Sequence, residues 1–465
     1  MLLTKLLSQS EGKTLEFKRD LSSLKPIIKT LVAFANTAGG TLVIGRTNDG
    51  RVVGVGDALH EEERLTSAIA DGIRPSMLPE IEISTYEGKT LLVVTVPHWK
   101  GPFYLKGEGP EKGVYVRLGS TNRRAGSELL SEMSRCFAGL TFDQTPLPDV
   151  TVRELDMQRI KKAFASVGRT VDNRKLETLD VLVRHAGKLV VSNGGLILFG
   201  RSEVRKNYFP DARVSCARFQ GTDRTNFVDR LDMEGSVFDS IDEVPRFIRR
   251  NTRMAARIGT MRREDIPEYP EVAIREVIIN AIAHADYSLT GMHIFVAIYS
   301  DRMEVQNPGM LPFGMTMDDF RSGVSKIRNR VIARVFRELG LMEEWGSGYR
   351  RVIESCQNGG YPSPDWQELG SAFRVIFYPH PEIKVAPEPV VPVNVPVNVP
   401  VNERQQWFLN QLGAGNKVKA ADMAARWKVT EKTAKRDIAA LKKHGIIEFI
   451  GAPKTGSYRI KEISE

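Results

Sequence analysis

Apolar and polar positions alternate differently in successive stretches of the chain. Near Pro26–Thr37 the apolar side chains recur at helical spacing. Gly39 and Gly40 follow, then an apolar run, Thr41–Gly45, that reads as a strand. Asn48-Asp49-Gly50 separates that run from Val52–Val55, and such a turn between apolar segments predicts a hairpin. Further strands are expected at Ile81–Thr85, Leu91–Val96 and Val114–Leu118. Residues 1–140 therefore read as an α+β block, and 141–180 as a connector with helical content. A second α/β block fills 181–382. It holds a helix opening at Pro270 and a hairpin of roughly His293–Tyr299 and Arg302–Gln306.

The sharpest boundary lies at 383–402, where Val-Pro-Val-Asn occurs three times in a row from Val391. Proline every fourth residue removes backbone donors and blocks a helix, so this stretch reads as an extended, semi-rigid linker. From Glu403 to the end (403–465) the pattern becomes three short helices and two apolar strands, Ile446–Ile450 and Ser457–Ile460. Thr430 is a natural N-cap for the third helix, with Glu431 in its first turn and Gly445 at its end. Three helices and a hairpin describe a winged helix. Its third helix places Lys432, Thr433, Lys435 and Arg436 near the end that reaches base edges in a major groove. Lys454 at the hairpin tip and Arg459 behind it would serve phosphates. A solvated helix in a protein-interaction module is the other reading.

Composition narrows the setting. The chain has 465 residues, 42% hydrophobic and 26% charged, which is ordinary for a soluble globular protein of about three domains. No apolar run approaches a membrane span, and Met1–Lys5 shows no signal-peptide core, so a cytoplasmic protein without membrane contact is expected. Cys136, Cys216 and Cys356 are isolated and odd in number, which argues against a disulfide framework or a cysteine metal site. A formal charge of +9 suits a polyanionic partner without requiring one.

Within the helix from Pro270, Glu276, Asn280 and His284 fall at i, i+4 and i+8 in one polar row beside Val277, Ile278, Ala281 and Ile282. Polar groups in so apolar a helix are either paired or functional. Asn307-Pro308-Gly309 closes the following hairpin. Ser325–Asn329 and Gly346-Ser347-Gly348 come later. Across about 270–378 this order resembles the GHKL family of ATP-binding domains, in the divergent form of bacterial regulators. The resemblance implies that Asn280 coordinates Mg2+ and that Glu276 orients or deprotonates the attacking water. Asn307 and Gly309 stand where the family has an Asp-bearing glycine motif that reads adenine. Gly346, Ser347 and Gly348 match a phosphate-side glycine motif, and Ser325–Asn329 would belong to a mobile segment over the nucleotide. The resemblance also implies a homo-oligomer.

In the first block, Glu11, Glu16-Phe17-Lys18, Ala35-Asn36-Thr37-Ala38-Gly39-Gly40 and Val116-Arg117-Leu118-Gly119-Ser120 appear in order. Over about 8–130 this looks like the Schlafen AlbA-like domain, which implies association with nucleic acid, including RNA or single strands. Some members of that wider group are metal-dependent nucleases built on three acids. Glu11 and Glu16 match two of them, and the third position is filled only by Asp49 in the turn. Ordinary pairing with Lys18 or another base is the alternative for both carboxylates. Arg117, Arg123, Arg124 and Lys106 are candidate phosphate contacts. The whole reads as an α+β multidomain protein: an AlbA-like α/β domain, a GHKL-like two-layer α/β sandwich and a C-terminal winged helix-turn-helix. The expected function is a DNA-binding transcriptional regulator whose centre binds ATP. An ATPase or a metal-dependent nuclease in nucleic-acid processing or phage defence is the alternative.

Overall fold

The computed structural model describes residues 3–233, 235–258, 263–343, 348–383, 402–413, 416, 418–444, 446–450 and 457–460. The protein is a mixed α+β multidomain chain that divides into two compact units, 1–383 and 384–465.

The first block opens with α1 (Leu3–Leu7), β1 (Leu15–Lys18), α2 (Leu24–Thr37), β2 (Gly40–Ile44), α3 (Ala58–Gly72), β3 (Glu80–Tyr86) and β4 (Lys89–Val96). The strands form one sheet in the order β1-β2-β4-β3, with β1 parallel to β2 and the other pairs antiparallel. Period-two alternation divides β4 between two apolar layers. Leu92, Val94 and Val96 pack with Ile27, Leu31 and Phe34 of α2, whereas Leu91 and Val93 pack with Leu6, Leu7 and Phe17. Removing each such aliphatic side chain from water is worth about 1.5–3 kcal/mol. The hairpin β5 (Tyr115–Leu118) and β6 (Thr121–Arg124) and the helix α4 (Ser127–Phe137) complete the block.

The Ala-Asn-Thr-x-Gly-Gly motif ties these pieces together. Buried Asn36 donates to the carbonyls of Phe103 and Tyr115, at 2.8 and 2.9 Å, and accepts from Phe103 N at 2.8 Å. Thr37 Oγ1 accepts from Arg117 N at 2.8 Å. Gly39 has φ +76°, and a Cβ there would lie 2.8 Å from the Val96 carbonyl, so the turn into β2 requires glycine. The expected strand Val52–Val55 does not form. Only Arg46 and Val52 make a bridge. The Gly45 carbonyl accepts from both Val53 N and Gly54 N, which closes a tight loop, and Val55 N crosses to Thr90.

The second block is built on β7 (Val214–Gln220), β8 (Asn226–Asp232), α5 (Ser240–Asn251), α6 (Glu271–His284), β9 (Ile294–Ile298) and β10 (Met303–Pro308). It continues with α7 (Arg330–Glu338), α8 (Gly348–Asn358), β11 (Asp365–Leu369) and β12 (Ala372–Phe377). Its six-stranded sheet has the order β8-β7-β9-β10-β12-β11, parallel only between β7 and β9. Helices α5, α6 and α8 pack together, α5 and α6 lying against the sheet. The stretch read as a connector is part of this layer: Val150, Leu155, Ile160, Phe164 and Leu176 share its apolar core. Asp143 accepts from Arg330 N and Ile332 N, at 3.1 and 3.0 Å, and so caps α7 from far back in the chain.

The second unit holds α9 (Glu403–Gly413), α10 (Ala420–Trp427), α11 (Glu431–Lys443) and an antiparallel pair, β13 (Ile447–Ile450) and β14 (Ser457–Ile460). Phe408, Met423, Ala434, Ile438, Leu441 and Ile447 form its core. Thr430 caps α11, its hydroxyl accepting from Thr433 N at 3.3 Å. The linker repeats up to Val401, Gly445 and Lys454 lie outside the described residues. No helix among the described residues is long and apolar enough to cross a membrane.

Candidate functional site

One face of α6 is consumed by the core through Ala273, Ile274, Ile278 and Ile282. The adjoining face carries Glu276, Asn280 and His284 into a cavity of about 130 Å3. Asn280 Nδ2 donates to Glu276 Oε1 at 3.0 Å, and Arg351 Nη2 approaches the same oxygen at 3.5 Å. This arrangement leaves the carbonyl oxygen of Asn280 as an acceptor for a hard cation. Gly348, the first residue of α8, sits directly over the pair. A Cβ on it would lie 2.9 Å from Asn280 Nδ2 and 2.9 Å from Glu276 Oε1. The Glu-x-x-x-Asn helix and the end of the later glycine motif are thus brought together. Gly346 and Ser347 lie outside the described residues.

Asn307, next to last in β10, lines the same cavity, its side-chain amide donating to the Pro308 carbonyl at 3.2 Å. That leaves its side-chain oxygen as an acceptor. Gly309 is not on the cavity wall. It has φ +98°, and a Cβ on it would meet Asp286 at 2.9 Å, on the side facing Arg328. Met310, Leu311 and Met315 supply apolar wall. Phe320, Tyr349, Trp366 and Phe373 form an aromatic cluster, with Phe320 centred 5.0 Å from Trp366 and 5.1 Å from Tyr349. Two buried donors in these walls have no hydrogen-bond partner: Arg351 Nε and Trp366 Nε1. Neither was singled out by sequence. Arg351 lies one helical turn beyond Gly348, a spacing that could have been read, whereas nothing in the sequence marks Trp366.

Burial and the nearby Arg328 guanidinium push His284 down to about 4, so the imidazole in the cavity is neutral near pH 7. Lys326, on the rim, donates to the carbonyls of Phe313 and Gly314 at 3.0 and 2.9 Å. Burial lowers its pKa, with Asp319 opposing. The segment Ser325–Asn329, expected to be mobile, is pinned at its far end. Asn329 donates to the carbonyls of Ala283 and Ala285 at 3.0 and 2.7 Å. Arg328 binds Glu132, Asp286 at 3.2 Å and the Met310 carbonyl at 2.6 Å.

In the first block the carboxylates do not assemble a metal centre. Glu16 is buried between Arg117, itself 1% exposed, and Lys18. Glu11 Oε1 accepts from Phe17 N at 3.0 Å. Asp49 is held by Arg51 at 2.7 Å on an exposed turn. Among the described residues no group of three or more His, Cys, Asp or Glu could hold a metal ion. Arg117 is likewise spent internally, on Gly12 O at 3.0 Å and Asn122 at 2.9 Å as well as Glu16, so it is no phosphate contact. Lys106, Arg123 and Arg124 are exposed.

On α11, Lys432, Lys435 and Arg436 are exposed and Thr433 is half-buried beneath the Thr430 hydroxyl. Lys435 pairs with Glu431 at 2.9 Å. Arg459 lies 3.5 Å from Glu448 on the neighbouring strand.

Residues 291–377 match the family model described as "Putative ATP-dependent DNA helicase recG C-terminal", and residues 11–126 match that described as "Schlafen, AlbA_2". Among solved structures, the DIP2311 protein from Corynebacterium diphtheriae is similar at 16% identity and a TM-score of 0.42, over 99% of this chain and 98% of that one. The N-terminal domain of a "Putative ATP-dependent DNA Helicase RecG-related Protein" from Nitrosomonas europaea is 33% identical, with a TM-score of 0.22, over 27% of this chain and 91% of that one. No curated protein matches. The two family matches support a nucleic-acid-related, ATP-binding function.

Proposed function

We propose that this chain is a DNA-binding transcriptional regulator whose central block binds ATP. The observation that carries the nucleotide reading is the contact of Gly348 with the Glu276–Asn280 pair, in a cavity whose walls also hold the orphaned donors Arg351 Nε and Trp366 Nε1. Backbone without a Cβ allows close approach of a phosphate. The aromatic and methionine walls suit a flat base, and the Asn307 oxygen can accept from an adenine amino group. Asn280 would hold Mg2+ through its carbonyl oxygen, and the ion would neutralise phosphate charge. Glu276 would orient water in a hydrolytic variant of this reading; phosphate release that disappears in Glu276→Gln while ATP still binds would establish that variant.

The DNA reading rests on α11, which presents Lys432 and Arg436 to solvent at its N-terminal half. In a winged helix that end enters the major groove. Titration of the full chain with labelled ATP and Mg2+ tests the first part. Saturable binding that weakens in Asn280→Ala is expected, and the absence of saturable binding in the unsubstituted protein overturns it.

A further inference from the structure

A groove of about 840 Å3 runs between α4 of the first block and α7 of the second. Seven lysines and arginines line it against two carboxylates, Glu132 and Asp286. Arg328 alone engages both acids. Lys100, Arg135, Lys326, Arg330, Arg334 and Arg337 also line the groove. Arg334 is answered from outside by Asp180. Lys326 and Arg330 spend donors on neutral carbonyls, Arg330 on Gly139 at 2.7 Å, and Asp319 bears on Lys326 from outside the groove lining. Arg135 stands over the Phe142 ring, 5.2 Å from its centre, and its Nε and Nη2 have no hydrogen-bond partner.

So many cations held together repel one another, and a polyanion in the groove would relieve that cost. The groove also has apolar faces: Phe142 and Phe313 line it, and Leu140 beside them is 54% exposed. Cations that track a backbone, interleaved with rings on which bases stack, are the requirements of an unpaired strand. A duplex keeps its base faces inside the stack and could use only the cations. We propose that this groove binds single-stranded nucleic acid. The proposal deepens the nucleic-acid reading of the chain, but on a surface separate from α11.

The test uses the full chain carrying Lys432→Ala and Arg436→Ala, so that any contribution of α11 is reduced, and a short fluorescently labelled oligothymidylate. Lys100 and Arg330 are exposed, and denaturant unfolding of the alanine variant checks that it keeps the fold. Adding Lys100→Ala and Arg330→Ala is expected to weaken binding at least about tenfold. It is also expected to flatten the plot of log affinity against log salt by about 1.4, the slope of two lost phosphate contacts on a single strand. Lys100→Arg with Arg330→Lys restores binding. Ultraviolet cross-links of the unsubstituted protein fall in peptides holding Phe142 or Phe313. Unchanged affinity and slope in the alanine variant overturn the proposal. So does equal binding of a duplex of the same length, or equal competition by inorganic tripolyphosphate at matched phosphate concentration. Failure of duplex binding by α11 would leave this result untouched, which separates the two surfaces.

Discussion

Gly348 and Asn280 meet so closely that one methyl group would not fit between them: a Cβ at Gly348 lies 2.9 Å from the Asn280 amide nitrogen. Both neighbours of that methyl are held, since Asn280 is bonded to Glu276 and Arg351 flanks the carboxylate. Gly348→Ala must therefore displace the pair or the start of α8. Overpacking of this kind costs about 1–3 kcal/mol. The predicted outcome is at least about a tenfold loss of ATP affinity with Mg2+ present, comparable to Asn280→Ala, by calorimetric titration. Wild-type affinity in Gly348→Ala would mean that this contact has nothing to do with nucleotide.

The ion pair of Glu16 with Arg117 makes the opposite kind of prediction, about stability. Both side chains are buried, and Lys18 takes the second carboxylate oxygen. Arg117→Met leaves a buried carboxylate short of its main partner, which costs about 3–5 kcal/mol. Glu16→Gln in the same chain should recover part of that loss. Denaturant unfolding of the two variants measures both. The same geometry predicts that RNA or single-stranded DNA incubated with Mg2+ or Mn2+ shows no cleavage that depends on Glu16. Cleavage lost in Glu16→Ala would reverse this reading.

The sequence pattern exposed what is local. Glu276, Asn280 and His284 could be placed on one face because helical periodicity is a property of neighbours, and the three helices after Glu403 emerged for the same reason. Tertiary partners were hidden. Nothing near Asp143 announces that it caps a helix beginning at Arg330, and nothing near Glu16 names Arg117 as its partner. Gly309 was grouped with the nucleotide motif by its place in the sequence, yet its backbone turns toward Asp286. The segment 141–180 reads as a connector with helical content, and no local spacing says where its apolar residues go. Their common destination, the core around Phe164 and Leu176, exists only after folding.

His284 and Asp143 predict opposing responses to acid. His284 is pushed down to about 4 from 6.5 by burial and Arg328. The unfolded chain takes up that proton first, so this group's contribution to stability falls as pH drops from about 6.5 toward 4, by about 3 kcal/mol in full. Asp143 is raised from 3.8 to about 6, by burial against its hydrogen bonds to Thr141 and the start of α7. Here the folded state takes up the proton first, and stability is gained as pH drops through about 6. The two partly cancel in the native protein. Urea unfolding between about pH 4.5 and 7 should show His284→Gln gaining stability on acidification relative to wild type, and Asp143→Asn losing it. Parallel curves for all three proteins would dismiss both assignments.

The exposed bases of α11 are not equivalent, and that ranks their effects on DNA binding. Lys435 is already paired with Glu431 one turn earlier, so part of its charge is answered before DNA arrives. Thr433 is tucked under Thr430, and its backbone N–H, not its side chain, accounts for the cap. Lys432 and Arg436 have the freest access to a phosphate or a base edge. Lys432→Ala with Arg436→Ala is expected to weaken duplex binding by tenfold or more and to reduce the salt slope by about 1.8. Lys435→Ala and Thr433→Ala should each cost less. Anisotropy titrations at several salt concentrations rank the three variants. An inverted order, with Thr433→Ala the most damaging, would show that the helix reads DNA in another register or serves a protein partner instead.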